Sequence, residues 1–299
     1  MIWLIGNRGM LGTELSLLFE SRGLSFFGTD RECDITDLDS LLRGPGDRKV
    51  EWVINCSAYT AVDKAEDEEE LARRINARGA GNAARVAREM GARMIHISTD
   101  YVFSGSGNRP YLEEDPVQPL GAYGRTKAEG ETLVREACSE HFILRTAWLY
   151  GRHGKNFVYT MLKLMSTRSE LSVVSDQWGS PTWTRDLALA IVSIITSDSR
   201  AYGTYHYTNE GETTWYDFAR EIQRLGRESG LLQSEGFIRP LTSAEYPTKD
   251  QRPSYSVLSK RKIGSILGIK PPQWRGSLES FMQDLSKHGI PQSEKSGNV

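Results

Sequence analysis

The chain has 299 residues, 38% of them hydrophobic and 25% charged, which suits one large or two smaller domains with a substantial core. Its formal net charge of −2, with no basic block, argues against nucleic acid as an obligate partner. The longest apolar run, Leu187 to Ile195, is too short to span a bilayer and no basic-then-apolar leader opens the chain, so no membrane and a cytoplasmic location are expected.

Taken in order, Ile2 to Ile5 is a continuous apolar run, the pattern of a strand buried on both faces. It enters Gly6-Asn7-Arg8-Gly9-Met10-Leu11-Gly12, and a helix follows with Leu11, Leu15, Leu18 and Phe19 on one side. Strand, glycine turn and helix in that order form the context of a dinucleotide fingerprint. Gly6 permits the tight turn, Gly9 lets backbone approach a pyrophosphate, and Gly12 lets the helix pack on the strand. The helix N-terminus then offers unpaired N–H groups to phosphate. Gly6, Arg8, Gly9, Met10, Leu11 and Gly12 are therefore candidate cofactor contacts.

A second strand, Leu24 to Gly28, ends at Thr29-Asp30-Arg31. Asp30 suits the ribose hydroxyls of NAD, whereas Arg31 and Arg8 suit the 2′-phosphate of NADP, so both cofactors stay open. Asp34 and Ile35 fall where an adenine ring would lie, and Thr36 is placed to cap the next helix. A third strand, Val53 to Cys56, leads into Ser57-Ala58-Tyr59-Thr60. There small residues leave room for a cofactor to cross the sheet edge, making Ala58, Tyr59 and Thr60 candidates. The acidic run from Asp63 to Glu70 reads as a solvated helix face, and Ile75 to Met90 as an alanine-rich amphipathic continuation. Arg93 to Thr99 is a fourth strand and Phe142 to Thr146 a fifth.

Between these two strands lies Tyr123-Gly124-Arg125-Thr126-Lys127. Residues four apart share a helix face, so the Tyr123 hydroxyl and the Lys127 ammonium point into one cleft. A neighbouring ammonium favours the phenolate and lowers its pKa, which makes Tyr123 a usable proton donor or acceptor. Thr99 is placed to hold a substrate carbonyl against it. With 12 Tyr among 299 residues, chance gives roughly 0.4 such Tyr-x-x-x-Lys matches, so context has to choose. A second match, Tyr159 and Lys163, sits in an apolar helical stripe and reads as packing.

Alternating strands and helices imply an α/β fold: a Rossmann-like doubly wound parallel sheet with a smaller C-terminal substrate-binding lobe. The expected division is residues 1–150 for the dinucleotide-binding domain, completed by parts of 182–208. Residues 151–181 and 209–290 form the substrate lobe, with a frayed tail over 291–299. Gly6, Asp30, Ala58, Thr99 and Trp148 all lie at strand ends, where ligands bind in such sheets. Cys33, Cys56 and Cys138 read as reduced thiols, and the five histidines lack metal-ligand spacing.

The strings Gly6-x-x-Gly9-x-x-Gly12, Ser98 to Gly105 and Tyr123-x-x-x-Lys127 together resemble the extended short-chain dehydrogenase/reductase family. Within it the nearer likeness is to the dTDP-4-dehydrorhamnose reductases. Asn55 to Glu66, Arg145 to Gly151, Asp176 to Thr182 and Tyr246 to Pro253 extend that likeness over nearly the whole chain. The resemblance implies hydride transfer from NADPH or NADH to C4 of a dTDP-linked 4-keto-6-deoxy-L-sugar. Tyr123 would then protonate the alkoxide, Lys127 would hold the nicotinamide ribose, and Thr99 would bond the substrate oxygen. Asp100, Tyr101, Trp148, Asn156 and Arg252 would contact the substrate. A homodimer is compatible with the family pattern. Some members dimerise through magnesium held by three glutamates; Glu14 matches the first, but Arg185 stands where a second belongs and a cation repels magnesium, so the resemblance leaves magnesium open but argues against that metal-bridged dimer. The nucleotide-sugar 4,6-dehydratases carry Thr-Asp-Glu where Tyr101 follows Asp100 here, and lack of that glutamate sets them aside. A reductase or epimerase of another nucleotide 6-deoxysugar, or a non-enzymatic NADP-binding regulatory subunit like the β subunit of methionine adenosyltransferase, remains an alternative on the same scaffold.

Overall fold

The computed structural model describes residues 1–233 and 236–291; of the expected frayed tail, everything from residue 292 on lies outside the described residues. A six-stranded, wholly parallel sheet organises the chain. Its strands are β1 (Ile2–Ile5), β2 (Phe26–Thr29), β3 (Trp52–Asn55), β4 (Arg93–Thr99), β5 (His141–Thr146) and β6 (Gly203–His206), in the spatial order β6-β5-β4-β3-β1-β2. The register pairs Ile5 with Thr29 and Asn55, and Thr99 with Thr146. The residues that leave the sheet, Gly6, Asp30, Cys56 and Asp100, therefore emerge along one edge, where the order reverses at β1 and β3.

Side-chain alternation explains why both faces are covered. Ile2 and Leu4 face the helices Met10–Ser21 and Thr184–Thr196, joining Leu15, Phe19, Leu187 and Ile191 in one apolar cluster. Trp3 and Ile5 face the other way, onto Ala80, Ala83, Ala84 and Val134 of the helices Ala80–Glu89 and Ala122–Ala137. Chain from beyond residue 151 thus returns to the sheet as the helix Thr184–Thr196, as β6, and as the helix Arg261–Leu267, whose Ile263 joins the same cluster as the first of these. A separate apolar cluster gathers Tyr150, Leu162, Phe218, Phe281 and Leu285, with the helices Phe157–Thr167, Trp215–Glu228 and Trp274–His288 around it.

Some local expectations shift. The cap of the helix Leu38–Arg43 is Asp37, whose carboxylate accepts from Asp39 N, not Thr36. Thr36 N is already committed to Asp34 Oδ1, so the chain turns one residue before the helix starts. The acidic run is not merely a solvated face: Glu66 Oε1 accepts from Ala122 N at 2.5 Å, Glu69 pairs with Arg125 at 2.8 Å, and Asp63 pairs with Arg252 at 2.7 Å. Helix Glu69–Arg73 runs into Ala80–Glu89 through a π-helical segment, Arg74–Gly79. This segment turns Asn76 inward, where its amide bonds Tyr59 N and O and Thr126 Oγ1.

Candidate active site

The first half of the site is made mostly of backbone. Gly6 has φ 79°, and a Cβ there would lie 2.8 Å from Ser57 N; at Gly12 it would lie 2.1 Å from Gly6 O. Only glycine allows the turn to hug both neighbours. Gly9 caps the helix Met10–Ser21 without a side-chain bond, which leaves the first-turn N–H groups facing outward. These elements wall a cleft of ≈ 840 Å³ over the carboxyl ends of β1, β2 and β3.

Most of the residues expected to hold a cofactor line this cleft: Gly6, Arg8, Gly9, Asp30, Arg31, Asp34, Ile35, Ala58, Tyr59 and Thr60. Leu11 instead sends its side chain into the core, and Gly12 serves helix packing, so these two offer only backbone. Met10 lies beside Gly154. Cys56, Ser57, Cys33 and Ile75 also line the cleft and were not among the expected contacts. Their positions depend on how the strand ends line up across the sheet, which no local motif records. Asp30 accepts from the backbone N–H groups of Arg8 (3.2 Å) and Arg31 (2.9 Å), and the first of these bonds ties the end of β2 to the glycine turn. The Arg8 guanidinium stands exposed at the rim, 3.5 Å from Glu32.

The second half is made of side chains. Tyr123 and Lys127 lie on consecutive turns of the helix Ala122–Ala137, whose first N–H is fixed by Glu66. Thr99 ends β4; its hydroxyl donates to Asp100 Oδ1 at 3.0 Å and accepts from Tyr101 N at 3.2 Å. The Tyr101 ring meets Tyr123 edge-on at 5.5 Å, and Arg252 donates to the Tyr101 hydroxyl at 2.8 Å. Tyr123 shares an apolar contact group with Tyr59, a wall of the cleft, so the two halves adjoin.

Electrostatics correct one expectation. Burial pushes the Tyr123 phenol above its ordinary value, opposed by a hydrogen-bonding contact with Thr99. The Lys127 ammonium points to the Ile97 carbonyl, which it bonds at 2.6 Å, and its charge falls on Cys56 and His96. Burial lowers Lys127 itself to about 8. Asp100 is raised to about 6 by burial, with Ser256 and Thr99 opposing.

Of the expected substrate residues, Thr99, Asp100, Tyr101 and Arg252 meet Tyr123 at one corner. Trp148 has φ 48° and stacks on Trp215 at 3.5 Å between ring centroids; a Cβ on Gly179 would lie 2.5 Å from its ring. A bulky residue held in the left-handed region is strained, and the surrounding rings hold it there. Asn156 is brought elsewhere: it caps the helix Phe157–Thr167 and donates to the carbonyls of Gly151 and Gly154. The other Tyr-x-x-x-Lys pair is structural at its tyrosine, since the Tyr159 hydroxyl donates to Arg152 O within the apolar cluster. At the expected metal-dimer position, Arg185 stands 3.8 Å from Glu14, and among the described residues no group of three or more His, Cys, Asp or Glu is placed to hold a metal. No helix among the described residues is long and apolar enough to cross a membrane.

Residues 1–287 match the family model described as the RmlD substrate binding domain. The chain is similar to the spore coat polysaccharide biosynthesis protein SpsK of Bacillus subtilis, 43% identical over 94% of this chain and 96% of that one. It is 40% identical to a dTDP-4-dehydrorhamnose reductase of Streptomyces griseus, over 97% of this chain and 96% of that one. The crystal structure of the Bacillus anthracis dTDP-4-dehydrorhamnose reductase in complex with NADP superposes with a TM-score of 0.88 at 35% identity, covering 95% and 98% of the two chains. A family match of this length, with relatives this similar end to end, shows that the chain belongs to the RmlD substrate binding domain family, that of the dTDP-4-dehydrorhamnose reductases.

Proposed function

We propose that this protein reduces the 4-keto group of dTDP-4-dehydro-6-deoxy-L-mannose to give dTDP-L-rhamnose, with Tyr123 as proton donor. One observation carries the reading: Thr99 and Tyr123 meet at the carboxyl end of β4, with Lys127 one turn away, beside a cleft whose glycine turn fits a dinucleotide. A nicotinamide dinucleotide supplies the hydride. The backbone from Gly6 to Gly12 would hold its pyrophosphate, Asp30, Arg8 and Arg31 its adenosine ribose, Asp34 and Ile35 its adenine, and Ala58, Tyr59 and Thr60 its passage across the sheet. The exposed Arg8 and Arg31 suit a 2′-phosphate, which supports NADPH as the preferred reductant.

The chain's own residues do the rest. Thr99 holds the keto oxygen, and Tyr123 gives it the phenolic proton as negative charge develops. Burial keeps the phenol protonated until then. Lys127 brings a fixed ammonium to the nicotinamide ribose. Asp100 and the Arg252–Tyr101 pair line the sugar side, and Trp148 follows the end of β5, one strand over. Proton transfer of this kind is worth ~10²–10⁴-fold, and positioning supplies much of the remaining acceleration.

The test is NADPH oxidation by the purified protein with the L-sugar substrate, run beside its C5 epimer. Turnover of the L-sugar with little of the D-epimer is expected. Turnover of the D-epimer alone overturns the substrate assignment, and turnover of neither overturns the reaction.

A further inference from the structure

Behind the catalytic corner lies a buried charge pair that the proposed reaction does not use. Glu131, one turn beyond Lys127 on the same helix, is fully buried. It accepts from Ser98 Oγ at 2.7 Å, from Arg145 Nε at 2.8 Å and Nη2 at 2.7 Å, and from Arg135 Nη1 at 3.2 Å. Arg145, on β5 and 2% exposed, is gripped from its other side. Its Nη1 lies 3.4 Å from both the Glu113 carbonyl and His206 Nε2, and the Phe103 ring sits 4.9 Å from the guanidinium. A buried ion pair gains little net stability, because desolvation offsets most of its attraction; its better-attested use is to select one arrangement.

The arrangement selected here is the register of the helix on β4. Lys127 bonds the carbonyl of Ile97, Glu131 bonds the hydroxyl of Ser98, and the next residue is Thr99. Two successive strand residues are tied to two successive helix turns, just before the residue that has to meet Tyr123.

We infer that Glu131 is a positioning residue for Thr99, Tyr123 and Lys127: locked by Arg145, its carboxylate anchors Ser98 and so sets the depth of Thr99 against Tyr123, with its charge facing Lys127. The inference rests on the reductase reading above. The titratable groups facing Lys127 are Glu131 from its own helix, Cys56 from the end of β3 and His96 from β4. Among these the carboxylate alone brings a full negative charge, which favours the ammonium against burial. Burial also works against Glu131, but bonds from Arg145 and Ser98 prevail and hold its carboxyl below the usual range.

The experiment uses the full-length protein. Ser98→Ala removes the tie to β4 and leaves the Glu131–Arg145 pair intact. It should bind NADPH as the wild type does and lose about tenfold in kcat, with KM changed by less than about twofold. Glu131→Gln keeps the shape and removes the charge. In lysine-labelled protein, with Lys127→Arg to assign the resonance, Lys127 should titrate about one pH unit lower than in the wild type. A wild-type kcat in Ser98→Ala, or an unmoved Lys127 titration in folded Glu131→Gln, overturns the proposal. If Glu131→Gln fails to fold, the Ser98→Ala kcat decides alone. The lysine titration needs no substrate. A protein that failed to reduce the keto sugar yet showed the displaced titration would refute the reductase reading and support the hold of Glu131 on Lys127.

Discussion

The dinucleotide cleft and the catalytic corner lie side by side but are built from different material. The cleft is a matter of backbone: Gly6, Gly9 and Gly12 remove side chains so that main chain can approach main chain, and its arginines, Arg8 and Arg31, stand at an exposed rim. The corner is a matter of side chains locked to one another, from Tyr123 and Thr99 through Asp100 and Tyr101 to Arg252 and Asp63. Behind it the buried Glu131–Arg145 pair fixes the helix on the sheet. The difference implies a division of labour. Damage to the cleft should appear as lost affinity for the cofactor, whereas damage to the corner should appear as lost turnover with affinity kept.

The largest effect expected is on the corner. Tyr123→Phe removes one oxygen and should lower kcat by ~10²–10⁴-fold, with NADPH affinity by fluorescence titration within about twofold of the wild type. Loss of both together would erase the distinction between the two regions. Next is Arg145→Ala, which strands the Glu131 carboxylate in the interior; denaturant unfolding should show a loss of ~3–5 kcal/mol. In the cleft, Gly12→Ala sets a Cβ against Gly6 O, 2.1 Å away before relaxation. The turn has to shift, so NADPH affinity should fall, stability should drop by ~1–3 kcal/mol, and kcat at saturation should stay near the wild-type value.

A pH prediction sharpens the contrast within the corner. Lys127 is lowered by burial from its ordinary 10.5 to about 8. Between those values the unfolded chain holds a proton that the folded chain has released, so this group's contribution to stability rises with pH across that window. If turnover uses the ammonium, as proposed above, it should fall over the same window, so kcat and melting profiles should diverge on the alkaline side. The smallest effect belongs to the cleft rim: Arg8→Ala should weaken NADPH binding by a few-fold and leave NADH binding nearly unchanged, since an exposed ion contact is worth ~0–1 kcal/mol.

How far this was legible in the sequence follows the same division. Ile2–Ile5 and the glycines after it announce a strand and a phosphate turn because local pattern alone dictates both. Tyr123 and Lys127 are legible because four residues is the helical repeat. The helix cap at Asp37 was missed by one residue, since Thr36 and Asp37 are both competent caps and a neighbouring turn chose between them. The acidic run was read as solvated because charge alone carries no address. Only the packed helix shows that Asp63, Glu66 and Glu69 turn toward Arg252, Ala122 and Arg125. Glu131 and Arg145 were invisible as a pair because it takes the register of three elements to bring them together. The direction of the Lys127 ammonium was misjudged for a related reason. Spacing puts it on the face of Tyr123, but the strand carbonyl of Ile97 decides where its charge goes.

The most direct measurement of the central claim is label transfer. The wild-type protein is given NADPH deuterated at the transferring position together with dTDP-4-dehydro-6-deoxy-L-mannose, and the product is read by mass spectrometry and proton NMR. The account predicts dTDP-L-rhamnose carrying a single deuterium at C4, with Tyr123→Phe forming almost none. Unlabelled product, deuterium at another carbon, or equal product from Tyr123→Phe would contradict it.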